Sequence, residues 1–261
     1  MLRAGLLVVL LALCSVSSAS GGAWTLPKGD VQIIVGTAVS NANVAFDGKS
    51  RAITPTGFSK TLVQLFAQYG LTDKLTLFLD PEYATALSGP GGLPATRARD
   101  AAIGGGVRYG LTDSIGIVSL EASVKSAGAF NLSVSKNGVS GQQAELRLLY
   151  GTNFRWLNRD GFVDVEAAER LISGRQPNET PIDITIGWHV TPKWMAMVQN
   201  FNIVSGSAQT PFGYYRTHKL QLSAVYQVSP HIAIQNAVFF SPAGQNALQE
   251  RGIVLSVWAN F

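Results

Sequence analysis

The pentapeptide Tyr69-Gly70-Leu71-Thr72-Asp73, YGLTD, returns at Tyr109 to Asp113, and its neighbourhood decides the fold. Extended, the two copies read YGLTDKLTL and YGLTDSIGI, and they match WHVTPKWMA from Trp188 and YQVSPHIAI from Tyr226. Each runs aromatic, any residue, Leu or Val, Ser or Thr, Asp or Pro, any residue, large apolar residue. Gly, Asp, Pro and Ser at these offsets are turn chemistry: they supply positive φ, a preset φ or local side-chain capping. The motif therefore reads as a short turn between two strands, a corner that the chain visits repeatedly.

The aromatic at each corner gives a reference for the preceding strand. Stepping back by twos from Tyr69 meets Ala67, Leu65 and Val63; from Tyr109, Val107, Gly105, Ile103 and Ala101; from Tyr150, Leu148, Leu146 and Ala144. From Trp188 the steps meet Ile186, Ile184 and Ile182, and from Tyr226, Ala224, Leu222 and Leu220. The intervening positions mix polar, charged and small residues. Since successive side chains of a strand face opposite ways, each segment has an apolar face ending in an aromatic and a mostly polar one. The last ten residues obey the same rule, with Phe261, Ala259, Val257, Leu255 and Ile253 on the apolar face.

The aromatics fall at Tyr69, Tyr109, Tyr150, Trp188, Tyr226 and Phe261. Each interval holds two strands and a long loop, whereas a propeller blade of similar period needs four strands. The pattern predicts an all-β chain forming a single transmembrane antiparallel β-barrel of about twelve strands: 30–40, 58–69, 75–85, 99–109, 115–125, 143–150, 162–171, 182–188, 194–203, 217–226, 232–240 and 252–261. Ten or fourteen strands fit the same logic. Short turns would face the periplasm, and the longer connections 41–57, 86–98, 126–141, 172–181, 204–215 and 241–251 would face outside. The alternation stumbles at Ser119, Asn200 and Asn236, where bulges or emergence above the lipid band would change the face. A soluble barrel would alternate equally well with its apolar face inward. The six strand-terminal aromatics favour the membrane, because an interfacial girdle belongs there.

The ends agree. Arg3, the apolar run Leu6 to Cys14 and the small residues through Ala19 and Ala23 form a secretory signal peptide, residues 1–19, with Ala23 as an alternative cleavage site. Residues 20–261 are then the barrel, without a cysteine and so without disulfide or thiol chemistry. The composition is 46% hydrophobic and only 14% charged, yet no later apolar run reaches the eighteen or so residues of a spanning helix. A closed barrel is the other structure that satisfies every backbone group in lipid.

The turn YGLTDKL, the start AWTLPKGD at Ala23 and the closing WANF at Trp258 resemble a large group of proteobacterial outer-membrane barrels. The YGLTD turn also resembles one in transporters of aromatic or hydrophobic compounds. The resemblance implies a bacterial outer-membrane location, and assembly by the barrel-assembly machinery through the strand ending in Phe261. It also hints at transport.

No metal or nucleophile constellation stands out, and neither a cofactor nor catalytic residues are expected. His189 and His231 fall at turns and His218 near an outer rim; Ser223, five residues from His218, faces the other side of its strand. The inward charges carry the functional reading. Lys60, Arg108, Arg147, Arg170 and Lys219 oppose Asp80, Glu82 and Glu145, together with Asp164, Glu166 and Asp183. Arg147 should lie near Asp164 and Glu166. These residues would line either a channel with basic and acidic sides, or a lumen sealed by salt bridges. The formal charge of +4 includes loop cations that suit lipopolysaccharide phosphates, and nothing indicates nucleic acid. The expected function is a narrow passive channel for small solutes; the alternative is a sealed barrel with a structural or lipid-modifying role.

Overall fold

The computed structural model describes residues 22–53, 57–89, 96–114, 116–126, 141–174, 176–206 and 214–261. The expected signal peptide, residues 1–19, lies outside them. Twelve long strands close into an antiparallel barrel: β1 (Val31–Ala42), β4 (Gly57–Thr72), β5 (Leu75–Gly89), β6 (Thr96–Thr112), β7 (Ile117–Lys125), β8 (Gln143–Trp156), β9 (Arg159–Ile172), β10 (Glu179–His189), β11 (Trp194–Ser205), β12 (Arg216–Ser229), β13 (Ile232–Gln245) and β15 (Arg251–Asn260). Each pairs with its sequence neighbours, and β1 closes the ring against β15, with Gln32 opposite Asn260 and Asn41 opposite Arg251. The two-residue strands β2 (Ala45–Phe46), β3 (Ala52–Ile53) and β14 (Ala247–Leu248) form a small sheet at the long-loop end.

The repeated corner has a common structure. In both YGLTD copies the strand continues past the aromatic, through Thr72 and Thr112, so the motif is a strand end and the turn begins only at its Asp. Register shifts fall between Gly70 and Thr72, between Gly110 and Thr112, and between Gln227 and Ser229; each marks a bulge at the Leu or Val of the motif. The hydroxyl that follows accepts an N–H two residues on at all four corners: Lys74 to Thr72, Ser114 to Thr112, Lys193 to Thr191 and His231 to Ser229. Adjacent corners are also tied together, as Gly110 N donates to Lys74 O at 2.9 Å and Gln227 N to Lys193 O at 2.8 Å. The recurring Ser or Thr therefore closes the turn, and the recurring bulge sets its twist.

The eighth strand departs from expectation. β8 runs six residues beyond Tyr150 and turns at Leu157 and Asn158, which adopt φ of 48° and 56°. A two-residue turn with both φ positive matches strand twist and needs no Gly when Asn occupies one position. Trp156, stacked 5.0 Å from Trp188, is the aromatic at that corner.

The outer surface is apolar. Leu79, Ile103, Val107, Leu148, Ile186, Leu222, Val238 and Leu255 are exposed along successive strands. Exposing each to water would forgo about 1.5–3 kcal/mol of burial, which a hydrocarbon surround restores. Of the three stumbles, none is a bulge. Ser119 is fully buried in the lumen because β7 takes its outward face from Val118 and Leu120; the irregular connection before it discards the parity of Ile117. Asn236 and Asn200 point outward in the unbroken alternation of their strands.

Candidate functional site

Every sequence-expected lumen residue faces inward, but the charges interleave and do not divide into a basic and an acidic side. Arg108 donates from Nε and Nη2 to Glu121 at 3.0 and 2.8 Å. Arg147 bridges Glu145 at 2.8 Å, Asp183 at 3.0 Å and Glu166. Arg170 joins Glu145 at 2.7 Å to Glu179 at 2.6 Å, while Lys125 joins Asp80 at 2.8 Å to Glu82 at 2.9 Å. Near the long loops, Glu250 takes Lys60 at 3.0 Å, Lys219 at 2.6 Å and the Ser40 hydroxyl at 2.5 Å. Arg147 and Glu166 meet as expected, whereas Asp164 lies beside a different partner.

That partner is the segment before β1. Gly22 to Asp30 enters the short-turn mouth of the barrel and is held there mostly through its main chain. Ala23 N donates to Asp164 Oδ1 at 2.8 Å, and Ser119 Oγ donates to Ala23 O. Arg108 Nη1 donates to Trp24 O at 3.2 Å, Leu26 N to Thr76 Oγ1 at 2.8 Å and Gly29 N to Gly70 O at 2.8 Å. The Trp24 ring stands edge-on to Phe162, with centroids 5.7 Å apart. Wall glycines make the room: a Cβ on Gly70 would sit 2.0 Å from Pro27 O, and one on Gly151 2.7 Å from the Trp24 ring.

The rest of the lumen is divided. Phe162, Met195, Met197, Val225, Ala233 and Trp258 cluster beside Trp24, and Trp258 Nε1, buried, has no acceptor among the described residues. At the long-loop end Ala42, Phe58, Leu62, Ala84 and Ala86 form a second apolar cluster, capped by Leu248 of β14. The segment 43–53 carries β2 and β3, pairs there with β14 through β2 and buries Phe46. A cavity of about 850 Å³ indents the wall between, lined by Phe78, Lys125 and Gln143 inside and by Ile103, Val124 and Leu171 outside. Gly104 to Gly106 face it, and the Phe78 ring occupies the space a side chain on Gly106 would need.

Outside the loops' ion cluster the girdle aromatics Tyr69, Tyr109 and Phe261 are exposed, and Tyr226 stacks 4.7 Å from Trp194. His218 turns outward and its Nδ1 meets Asn202 Oδ1 at 2.6 Å, while Ser223 bonds Gln199 and Gln235 inside the lumen. Glu121, Lys125, Glu179 and Glu250 escaped the sequence reading. The first two did so because Ile115 and Ile117 set the wrong parity for β7, Glu179 because it lay in an expected loop, and Glu250 because it is a loop residue that folds back inside. Burial tends to raise the Glu250 carboxyl, but Lys219 and Lys60 outweigh it and hold the group down at about 2. Tyr215, buried against Glu179, is pushed well above the usual phenol range by burial and by that carboxylate.

No family model and no curated protein sequence matches the chain. Among solved structures it is similar to an outer membrane channel from Pseudomonas putida F1, with a TM-score of 0.70, 16% identity, and coverage of 92% of this chain and 98% of that one. It is also similar to the translocator domain of the autotransporter NalP from Neisseria meningitidis, with a TM-score of 0.59, 11% identity and 90% of each chain covered. The transport unit of the autotransporter AIDA-I from Escherichia coli gives a TM-score of 0.53 and 10% identity over 90% of this chain and 91% of that one. The fold is that of bacterial outer-membrane β-barrels.

Proposed function

We propose that this chain is a narrow, non-enzymatic outer-membrane channel for small solutes, closed at its periplasmic mouth by residues 22–30. The observation that carries the reading is how that mouth is filled. An eight-stranded barrel is narrow enough for its wall side chains to fill, and twelve strands enclose a wider space. Here the wall at the mouth is built from Gly70, Gly110, Gly151, Ser119 and Thr76, and the segment leading into β1 occupies the space through hydrogen bonds worth about 1 kcal/mol each, somewhat more for those to Asp164 and Arg108. Such a closure can be released without disturbing the twelve-strand ladder.

The test is single-channel recording in planar bilayers of residues 20–261, compared with Trp24→Ala and Asp164→Ala. Brief, rare openings in the parent that lengthen in both variants support the reading. A folded protein silent in all three forms points to the sealed barrel, which the complete pairing of Arg108, Arg147 and Arg170 favours.

A further inference from the structure

Four outward arginines on the long-loop half of the barrel differ from those inside in having no carboxylate partner among the described residues. Arg97, Arg99, Arg216 and Arg251 are exposed, and none is in an ion pair among the described residues. Their heights are related. Arg99 precedes Tyr109, Arg216 precedes Tyr226 and Arg251 precedes Phe261, each by ten positions on an outward face. Ten strand residues span about 33 Å, and a tilt of roughly 40° reduces that to about 25 Å, the height of a barrel's apolar band. With the aromatics at the lower boundary, these three guanidinium groups sit at the upper one. Arg97 adds a fourth, and it lies in one row of paired residues with Leu87, Ser59, Asn41 and Arg251.

Their settings are prepared. Arg251 Nε donates to Asn41 Oδ1 at 3.1 Å, which anchors an exposed guanidinium group. Arg216 Nε donates to the Tyr214 hydroxyl, with its guanidinium carbon 5.2 Å from that ring's centre. Planar, weakly hydrated guanidinium groups hold phosphate through paired donors better than ammonium groups do.

We propose that this arginine ring binds the phosphate groups of lipopolysaccharide in the outer leaflet. The choice rests on charge and height: phosphates of an outer-leaflet glycolipid lie where the apolar band ends. The outward carboxylate Glu169, whose Oε2 accepts from Thr180, lies across the barrel on β9. The proposal stands whether or not the lumen conducts.

The test uses the refolded mature chain, free of lipopolysaccharide, titrated with deep-rough lipopolysaccharide and with the same material stripped of phosphate. The phosphorylated form should bind about tenfold or more tightly, since each arginine near an anionic surface contributes measurably. The preference should fall severalfold in R99Q/R216Q/R251Q, which leaves only Arg97, and persist in R155Q, an exposed arginine at the short-turn end, where it faces Asp160 at 3.8 Å. Inorganic phosphate alone should not compete at equal concentration. Equal binding of the two lipopolysaccharides by the parent overturns the proposal, as does an undiminished preference in the triple variant. Should the triple variant fail to fold, the comparison in the parent and a reduced preference in R251Q decide the matter.

Discussion

The two ends of the lumen are closed by opposite chemistry. At the long-loop end the closure is ionic and ties a loop residue to the wall: Glu250 gathers Lys60, Lys219 and Ser40, with side-chain exposures of 6% for Lys60 and 3% for Glu250. At the short-turn end it is the segment before β1, held against glycines through its main chain by neutral bonds to Thr76 and Gly70 and by single bonds to the Asp164 carboxylate and the Arg108 guanidinium. Buried charge is costly to break, because removing one partner strands the other. Main-chain bonds to a detachable segment exchange readily for bonds to water. On the proposed channel reading, the difference makes one end the fixed closure and the other the releasable one.

Breaking the ionic end should have the largest effect. Glu250→Ala takes the paired carboxylate from buried Lys60 and half-buried Lys219 and is expected to cost about 3 kcal/mol in unfolding free energy, read from denaturant titrations in detergent. Acid is the gentler version. The Glu250 carboxyl is held down at about 2 in the fold, so its contribution is complete above the unfolded value near 4.3 and is lost as pH falls through about 2. A difference of that size is about 3 kcal/mol, and the acid-sensitive step between pH 4 and 2 should be missing in Glu250→Gln. A step that survives in the variant assigns the effect elsewhere.

Gly70→Ala tests the other end. The new methyl would collide with Pro27 O, a backbone atom, so the segment must detach or the wall must shift. Longer openings with a stability loss of about 1–2 kcal/mol are expected; a large stability loss with unchanged gating would make the segment part of the folding core.

How far the sequence foretold these ends follows from what each is made of. The ladder was legible because alternation and turn chemistry are local: β5, which begins at Leu75, and the turn at Asp73 are written in adjacent residues. β8 was cut short at Tyr150 because the turn at Leu157-Asn158 lacks the Ser or Thr that marks the other corners. Inward charges such as Arg147 and Glu166 were legible from parity, but their pairing depends on register across strands. The closing segment was invisible for a different reason: Trp24 and Leu26 meet Phe162 and Thr76 only after the barrel exists to receive them.

The smallest predicted effect is the most discriminating. Ser119 and Ser40 are both buried hydroxyl donors, one to each closure: Ser119 to Ala23 O, Ser40 to Glu250 Oε1 at 2.5 Å. Replacing either by Ala deletes one hydrogen bond, about 1 kcal/mol, and leaves the volume nearly unchanged. In Ser40→Ala the carboxylate keeps both lysines, so the outer closure should hold and the loss should appear only in global stability. In Ser119→Ala the same energy falls on a local equilibrium, segment in against segment out, and shifts it about fivefold. Hydrogen exchange at the Ala23 amide, which is bonded to Asp164, should therefore accelerate about fivefold in Ser119→Ala and remain unchanged in Ser40→Ala. Equal acceleration in both would mean that the two ends open together with the whole barrel, and the distinction between a fixed and a releasable closure would fall.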